Sequence, residues 1–220
     1  MKVVLLPLKD PAQAKQRLAG HLSPQERQAL AWAMLEDVTA AVRAATTPEQ
    51  VVVVTSCQAG LRHAQQNNWQ VIEENHQLSE SHSVDRSCQI LQQRGASVVL
   101  RLPADIPLLQ PEDIDSLLNL ELQPPSAIIV PSRDGKGTNA LLRTPPGAFP
   151  SRFGENSVVL HQQEARHHHV ELKILENPRI AFDLDEISDL LCFSQLESDT
   201  RTGQILKQFE SLAGIMQRIS

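Results

Sequence analysis

Tyrosine is absent from the 220-residue sequence, and aromatic residues together make up 3% of it. Platforms on which successive nucleic-acid bases stack therefore have almost nothing to be built from. Positive charge is also short, with 20 Lys and Arg against 26 Asp and Glu and a net charge of −6. That balance offers no overall attraction toward phosphate backbones or anionic membranes, so neither is an expected partner. The three cysteines, Cys57, Cys88 and Cys192, are odd in number and widely spaced. No disulfide framework or zinc cage is expected of them, and the compartment is expected to be reducing. Long apolar runs are missing as well. The opening Met1-Lys2-Val3-Val4-Leu5-Leu6-Pro7 is too short for a signal peptide and nothing elsewhere approaches a membrane span, so the expected location is the cytoplasm. Repeats, low-complexity tracts and long linkers are not found either.

What is present suits a folded chain: 41% of residues are hydrophobic and 21% charged, enough to bury a core. The length fits a single domain spanning residues 1–220. Short apolar, β-branched runs at 3–6, 51–55, 70–73, 97–101 and 127–131 lack alternation, as strands covered on both faces do. Helical patterns lie between them. The clearest starts at Ser23-Pro24-Gln25-Glu26, where Ser23 can cap, Pro24 suits the first turn and Glu26 can return a bond to the cap. Further helices are expected near 58–67, 83–94, 111–119, 155–167 and 200–213. This alternation predicts an α/β fold, a mostly parallel sheet with helices on both faces. Beyond residue 130 the rhythm changes, and strands at 140–143 and 170–175 predict a mixed or antiparallel edge.

Candidate chemistry falls in five places. Asp105 lies between Pro103 and Pro107 just after a central apolar run, at the edge where open α/β sheets bind ligands. A carboxylate in such a rigid loop can fix a hard cation such as Mg²⁺, or simply cap a turn before Pro111. Asp183 and Asp185, two apart in an extended segment, present two carboxylates to one side, unless Asp185 serves as a helix cap. Arg133 to Leu142 holds Gly135, Gly137, Thr138 and Asn139, either an anion cradle of backbone N–H groups or a glycine-containing hairpin. Gly154 and Ser157 open a helix and can meet an anion there, with simple capping by Asn156 or Ser157 the ordinary alternative. Lys9, Lys15 and Arg17 follow the first strand and can meet a triphosphate or form a solvated basic turn. The run His167-His168-His169 reads as a wet helix end rather than a metal site, because adjacent side chains diverge.

Their joint order is more specific than any one of them. Through Pro7-Leu8-Lys9, Ala14-Lys15-Gln16-Arg17-Leu18, Pro103-Ala104-Asp105-Ile106-Pro107-Leu108, Asp134-Gly135-Lys136-Gly137-Thr138-Asn139, Phe153-Gly154 with Ser157 and His161, and Asp183-Leu184-Asp185, the chain resembles the 2-phospho-L-lactate guanylyltransferase family. That family makes the guanylylated three-carbon intermediate of the deazaflavin coenzyme F-420, and in bacteria often uses phosphoenolpyruvate. The resemblance implies a Rossmann-like nucleotidyltransferase fold and transfer of GMP from GTP to a three-carbon acid, with Mg²⁺ as cofactor. It implies metal and catalytic carboxylates at Asp105, Asp183 and Asp185, an acceptor pocket at Thr138, Gly154 and Ser157, and nucleotide contacts from Lys9, Lys15 and Arg17. The implied partners are two small molecules, GTP and the phosphorylated acid, and homodimer formation is left open. Alternatives are another acceptor such as 3-phospho-D-glycerate, another nucleotide, or a non-catalytic nucleotide-binding domain. One segment departs from the family: Gln77 to Asp85 replaces a Gly-Leu-Asn stretch, and its serines could donate bonds to a nucleotide.

Overall fold

The computed structural model describes residues 1–212. The last residue of the helix expected at 200–213, and the last eight of the expected domain, lie outside the described residues. Strands β1 (Lys2–Leu8), β2 (Gln50–Thr55), β3 (Gln70–Glu73), β4 (Val98–Arg101), β5 (Ser126–Pro131), β6 (Thr138–Thr144) and β7 (Glu171–Ile174) form one sheet in the order β3, β2, β1, β4, β6, β5, β7. The expected apolar runs all become strands. Val3, Val4, Leu5 and Leu6 are wholly buried because both faces are covered: Val4 and Leu6 pack toward one set of helices, Val3 and Leu5 toward the other.

The first set is α1 (Pro24–Ala44), α2 (Gln58–Gln66) and α4 (Pro111–Leu118), the second α3 (Glu80–Gln93) and α5 (Ser157–His167). Helix α1 opens with the expected reciprocal cap between Ser23 and Glu26. It buries Leu30, Met34, Leu35, Val38 and Val42. Its first half also packs on α6 (Ile187–Ser194) and α7 (Arg201–Leu206), through Leu30 and Met34 against Leu190, Phe193 and Leu206. The expected 200–213 helix is interrupted after Leu206.

The strands of the second half form the expected mixed side of the sheet, with the antiparallel member set inside it. The antiparallel strand is not an edge: β6 lies inside the sheet, antiparallel to both β4 and β5, and the edge strand β7 runs parallel to β5. Arg143 and Thr144, polar but buried, mark β6 as an interior strand; the prolines at 145, 146 and 150 follow it in the next loop. The inversion matters for the site, because it brings the start of β6 to the same rim as the ends of β1, β4 and β5.

Candidate active site

At that rim the strand order departs in two directions from β1 and β4, and the loops after them separate to leave a crevice. The crevice opens into a cavity of about 1360 Å³ lined by all nine of the expected site residues. Asp105, from the loop after β4, meets Lys15, from the loop after β1: the Lys15 Nζ donates to Asp105 Oδ2 at 2.7 Å and to Asp185 Oδ1 at 2.7 Å. Lys15 is only 7% exposed at its side chain and sits in the left-handed region at φ 56°, a conformation a non-glycine residue holds only when its surroundings enforce it. Burial lowers the Lys15 ammonium, but the two carboxylates more than offset it and hold it above its ordinary value. Burial likewise pushes the Asp105 carboxyl up, and Lys15 and then Arg101 bring it below the usual carboxylate range.

Among the described residues the third carboxylate has no ion-pair partner. Asp183 Oδ1 accepts a bond from the Asn139 amide at 3.1 Å, and that amide also donates to the Ile180 carbonyl at 2.9 Å. The Leu184 N–H donates to the Asp105 carbonyl at 3.3 Å, tying the Asp-x-Asp segment to the loop after β4. Burial, with the charges of Asp105 and Asp185 behind it, pushes the Asp183 carboxyl up to about 6. Neither Asp105 nor Asp185 is a helix cap; Gln110 and Glu186 hold those positions, with return bonds from Asp113 and Asp189.

On the other wall Thr138 and Ser157 are both buried, and the Ser157 hydroxyl donates to Thr138 Oγ1 at 3.1 Å. Asn156 occupies the cap of α5 in the left-handed region without a side-chain capping bond, so the capping alternative fails for both residues. Gly154 lies beside them at φ 124°, a backbone region that favours glycine. The loop between β5 and β6 is the hairpin alternative. The backbone donors at its glycines and Lys136 are spent within it: Gly135 N–H on the Ser132 carbonyl, Lys136 N–H on Asp134 Oδ1, and Gly137 N–H on Ser132 Oγ. Residues 135–137 therefore offer no free N–H groups for a cradle, and the Asn139 amide braces Asp183.

Lys9 and Arg17 are solvated at 61% and 72% exposure, each 3.6 Å from an acid, Glu80 and Asp185 respectively. The serines after Gln77 are used by the protein: Ser79 caps α3, Ser81 Oγ accepts from the Phe153 N–H, and Ser83 donates to Glu74. Helix α3 consequently starts at residue 80 rather than 83. Arg101 was not singled out from the sequence. Its side chain, 7% exposed, donates to the Thr138 and Asn139 carbonyls, pairs with Glu80 and lies over the Phe153 ring at 4.3 Å. A lone charge ending a run of strand residues buried on both faces, Val98-Val99-Leu100-Arg101, was the available signal. The three histidines at 167–169 end α5 exposed to solvent, as expected.

Among the described residues no group of three or more His, Cys, Asp or Glu is arranged as a ready cage for a metal ion. The donor set nevertheless fits a hard divalent cation in type, being all carboxylate oxygen, and in charge. Three acids share one buried ammonium, with Arg17 3.6 Å from Asp185 at the solvent side, and Asp183, raised by burial first and by its acidic neighbours second, is ionised most readily beside an added positive charge.

Residues 1–213 match the family described as Guanylyl transferase CofC like. The chain belongs to that family. It is 37% identical over 187 residues to a phosphoenolpyruvate guanylyltransferase of Rubrobacter xylanophilus, covering 84% of this chain and 90% of that one. Identity to a 3-phospho-D-glycerate guanylyltransferase of Colwellia psychrerythraea is 30% over 195 residues, 89% of this chain and 92% of the other. A 2-phospho-L-lactate guanylyltransferase of Methanothermobacter thermautotrophicus is 28% identical over 84% of this chain and 81% of its own. Among solved structures, a nucleotide-diphospho-sugar transferase from Desulfovibrio desulfuricans superposes with a TM-score of 0.78 at 18% identity, 97% of each chain covered. A 4-diphosphocytidyl-2C-methyl-D-erythritol synthase follows at 0.58 and 14% identity, over 87% of this chain and 96% of that one. These two share the fold, the Rossmann-like architecture of nucleotidyltransferases.

Proposed function

We propose that this guanylyltransferase-family enzyme transfers GMP from GTP to the phosphate of a three-carbon acid, phosphoenolpyruvate first among them, in the synthesis of coenzyme F-420. The observation that carries this reading is the convergence of Asp105, Asp183 and Asp185 with the Thr138 and Ser157 hydroxyls around one cavity. A phosphate monoester carries nearly two negative charges at neutral pH, its second pKa being about 6, so it attacks without a strong general base. One of its oxygens forms a bond to the α-phosphorus of GTP, the bond to the α,β-bridging oxygen breaks, and pyrophosphate leaves with that oxygen and its electron pair.

The work left to the protein is positioning and charge neutralisation. On this reading Lys9, Lys15 and Arg17 take the triphosphate, and Thr138, Gly154 and Ser157 the acceptor. Asp105, Asp183 and Asp185 would hold Mg²⁺, which when bound supplies positive charge between two polyanions. Lys15, already buried between two of these carboxylates, keeps their charge in check before substrates arrive. Three unpaired cysteines, and no helix among the described residues long and apolar enough to cross a membrane, accord with a cytoplasmic site of action.

The test is pyrophosphate release with GTP, ATP and CTP against phosphoenolpyruvate, 2-phospho-L-lactate and 3-phospho-D-glycerate. Release with GTP and phosphoenolpyruvate is the expected result. Preference for 3-phospho-D-glycerate, the acceptor in the name of the Colwellia relative, is the second reading. GTP binding without release under any acceptor would reduce the chain to a nucleotide-binding domain.

A further inference from the structure

We infer that His161 is a positioning residue for the acceptor: its ring fixes which way the Thr138 hydroxyl proton points. This rests on the reading of Thr138 and Ser157 as the acceptor pocket. His161 lies on α5 one turn beyond Ser157, wholly buried, with Phe153 edge-on at 5.0 Å between ring centres and Phe149 tilted at 6.2 Å. Each ring nitrogen has one partner. Nε2 is 2.8 Å from the Arg152 backbone nitrogen, whose N–H can only donate, so Nε2 carries the lone pair. A second proton on the ring is opposed by burial and by Arg143, Arg101 and Arg152, which together push the imidazole down to about 3. The proton of the neutral ring is therefore on Nδ1, which donates to Thr138 Oγ1 at 3.0 Å.

The hydroxyl bookkeeping follows. Thr138 Oγ1 accepts from His161 and also from Ser157 at 3.1 Å, which fills both of its lone pairs. Its own proton has no partner among these groups and is left for the cavity, which Thr138 lines. Were Thr138 instead to donate to Ser157, the spare proton would sit on Ser157, on the same wall. Either way three protons serve two internal bonds, and one donor remains for an anion. The opposite tautomer would take the Thr138 proton and turn lone pairs toward the acceptor, which would repel it. The ring thus sets the sign of this wall without touching the acceptor.

Two substitutions separate the nitrogens. His161→Gln can keep an acceptor for the Arg152 N–H while losing the donor to Thr138; His161→Asn can keep a donor near Thr138 while leaving that N–H unmet. With phosphoenolpyruvate, or whichever acid of the panel the wild type uses, His161→Gln is expected to raise the acceptor KM about tenfold, the weight of one hydrogen bond, with the GTP KM at its wild-type value. His161→Asn is expected to restore most of that loss even where it melts earlier. Wild-type acceptor KM in His161→Gln, or equal loss for acceptor and GTP in both variants, overturns the inference. Nitrogen-15 shifts of His161 in the unliganded wild type decide it independently of variant folding: a neutral Nδ1–H ring is expected at pH 7, and an Nε2–H or doubly protonated ring refutes it. A wild type inactive with every acid would sink the proposed function instead, leaving the tautomer result to stand by itself.

Discussion

Burial, and then the charges of Asp105 and Asp185, raise the Asp183 carboxyl to about 6, so at neutral pH the ligand-free fold carries an ionised group whose protonated form it favours. Asp183→Asn removes that charge, and the new side-chain oxygen can still accept from Asn139. Turnover is expected to fall on the order of a hundredfold or more, as when one electrostatic contributor to a transition state is lost. Melting in metal-free buffer is expected to rise by roughly 2–4 °C, corresponding to about 1 kcal/mol after allowing for screening at a half-buried group. Asp105→Asn separates the two effects: it removes a partner of buried Lys15, so activity and melting temperature should fall together. A Asp183→Asn protein with wild-type turnover would remove that residue from the catalytic set. His161 gives the pH dependence. Its folded value near 3 lies below the ordinary unfolded value of about 6.5, so between these limits the unfolded chain binds a proton that the folded one refuses. Its contribution is complete above pH 6.5 and is lost as pH falls toward 3. The melting-temperature gap between wild type and His161→Asn should therefore narrow by roughly 5 °C or more from pH 7 to 4.

At the scale of elements, the acceptor wall depends on a loop that only glycine can finish. Gly154 stands at φ 124°, and a Cβ built there meets no atom within 4 Å, so Gly154→Ala introduces strain rather than a clash. The expected cost is about 1–3 kcal/mol of stability with a raised acceptor KM, read by melting and steady-state kinetics. Ser23→Ala is the contrasting case: it breaks the cap of α1 away from the chemistry and should cost about 1 kcal/mol with kinetic constants unchanged. The same contrast explains what could be read from the chain. Strands were legible because double-sided burial leaves an unbroken apolar run, and α1 because its cap, proline and periodicity agree. The place of β6 was not, since strand order is a long-range choice and an interior antiparallel strand carries the same buried residues as a parallel one. At the site, carboxylates and hydroxyls were legible by type and spacing. Lys15 was recognised as a cation, but its burial between Asp105 and Asp185 depends on two loops far apart in sequence. Asn139 and Ser81 proved to be braces because their hydrogen bonds are settled by distant partners, Asp183 and Phe153.

For the molecule as a whole, a net charge of −6 opposes the approach of two polyanionic substrates, yet the cavity rim carries Lys9, Arg17, Arg133 and Lys136. Screening shortens the reach of every surface charge to about 10 Å at 0.1 M salt, so acids elsewhere on the molecule count for little. The cavity lining itself, however, holds nine acids against six cations among the described residues. Attraction of the triphosphate therefore falls to the individual rim cations and to the Mg²⁺ that the carboxylates would hold. Arg17 and Lys9, at 72% and 61% exposure, are open to solvent and thus sensitive to salt, whereas Lys15 is buried and paired. At fixed Mg²⁺, kcat/KM for GTP should therefore fall several-fold as monovalent salt rises from about 0.02 to 0.3 M, a change carried mainly by association. Arg17→Ala and Lys9→Ala should each lower the low-salt value and flatten the slope, converging on wild type at high salt. Parallel slopes for wild type and both variants would mean that these side chains neither attract nor touch the triphosphate, and of the three cations assigned to the nucleotide only the buried Lys15 would be left.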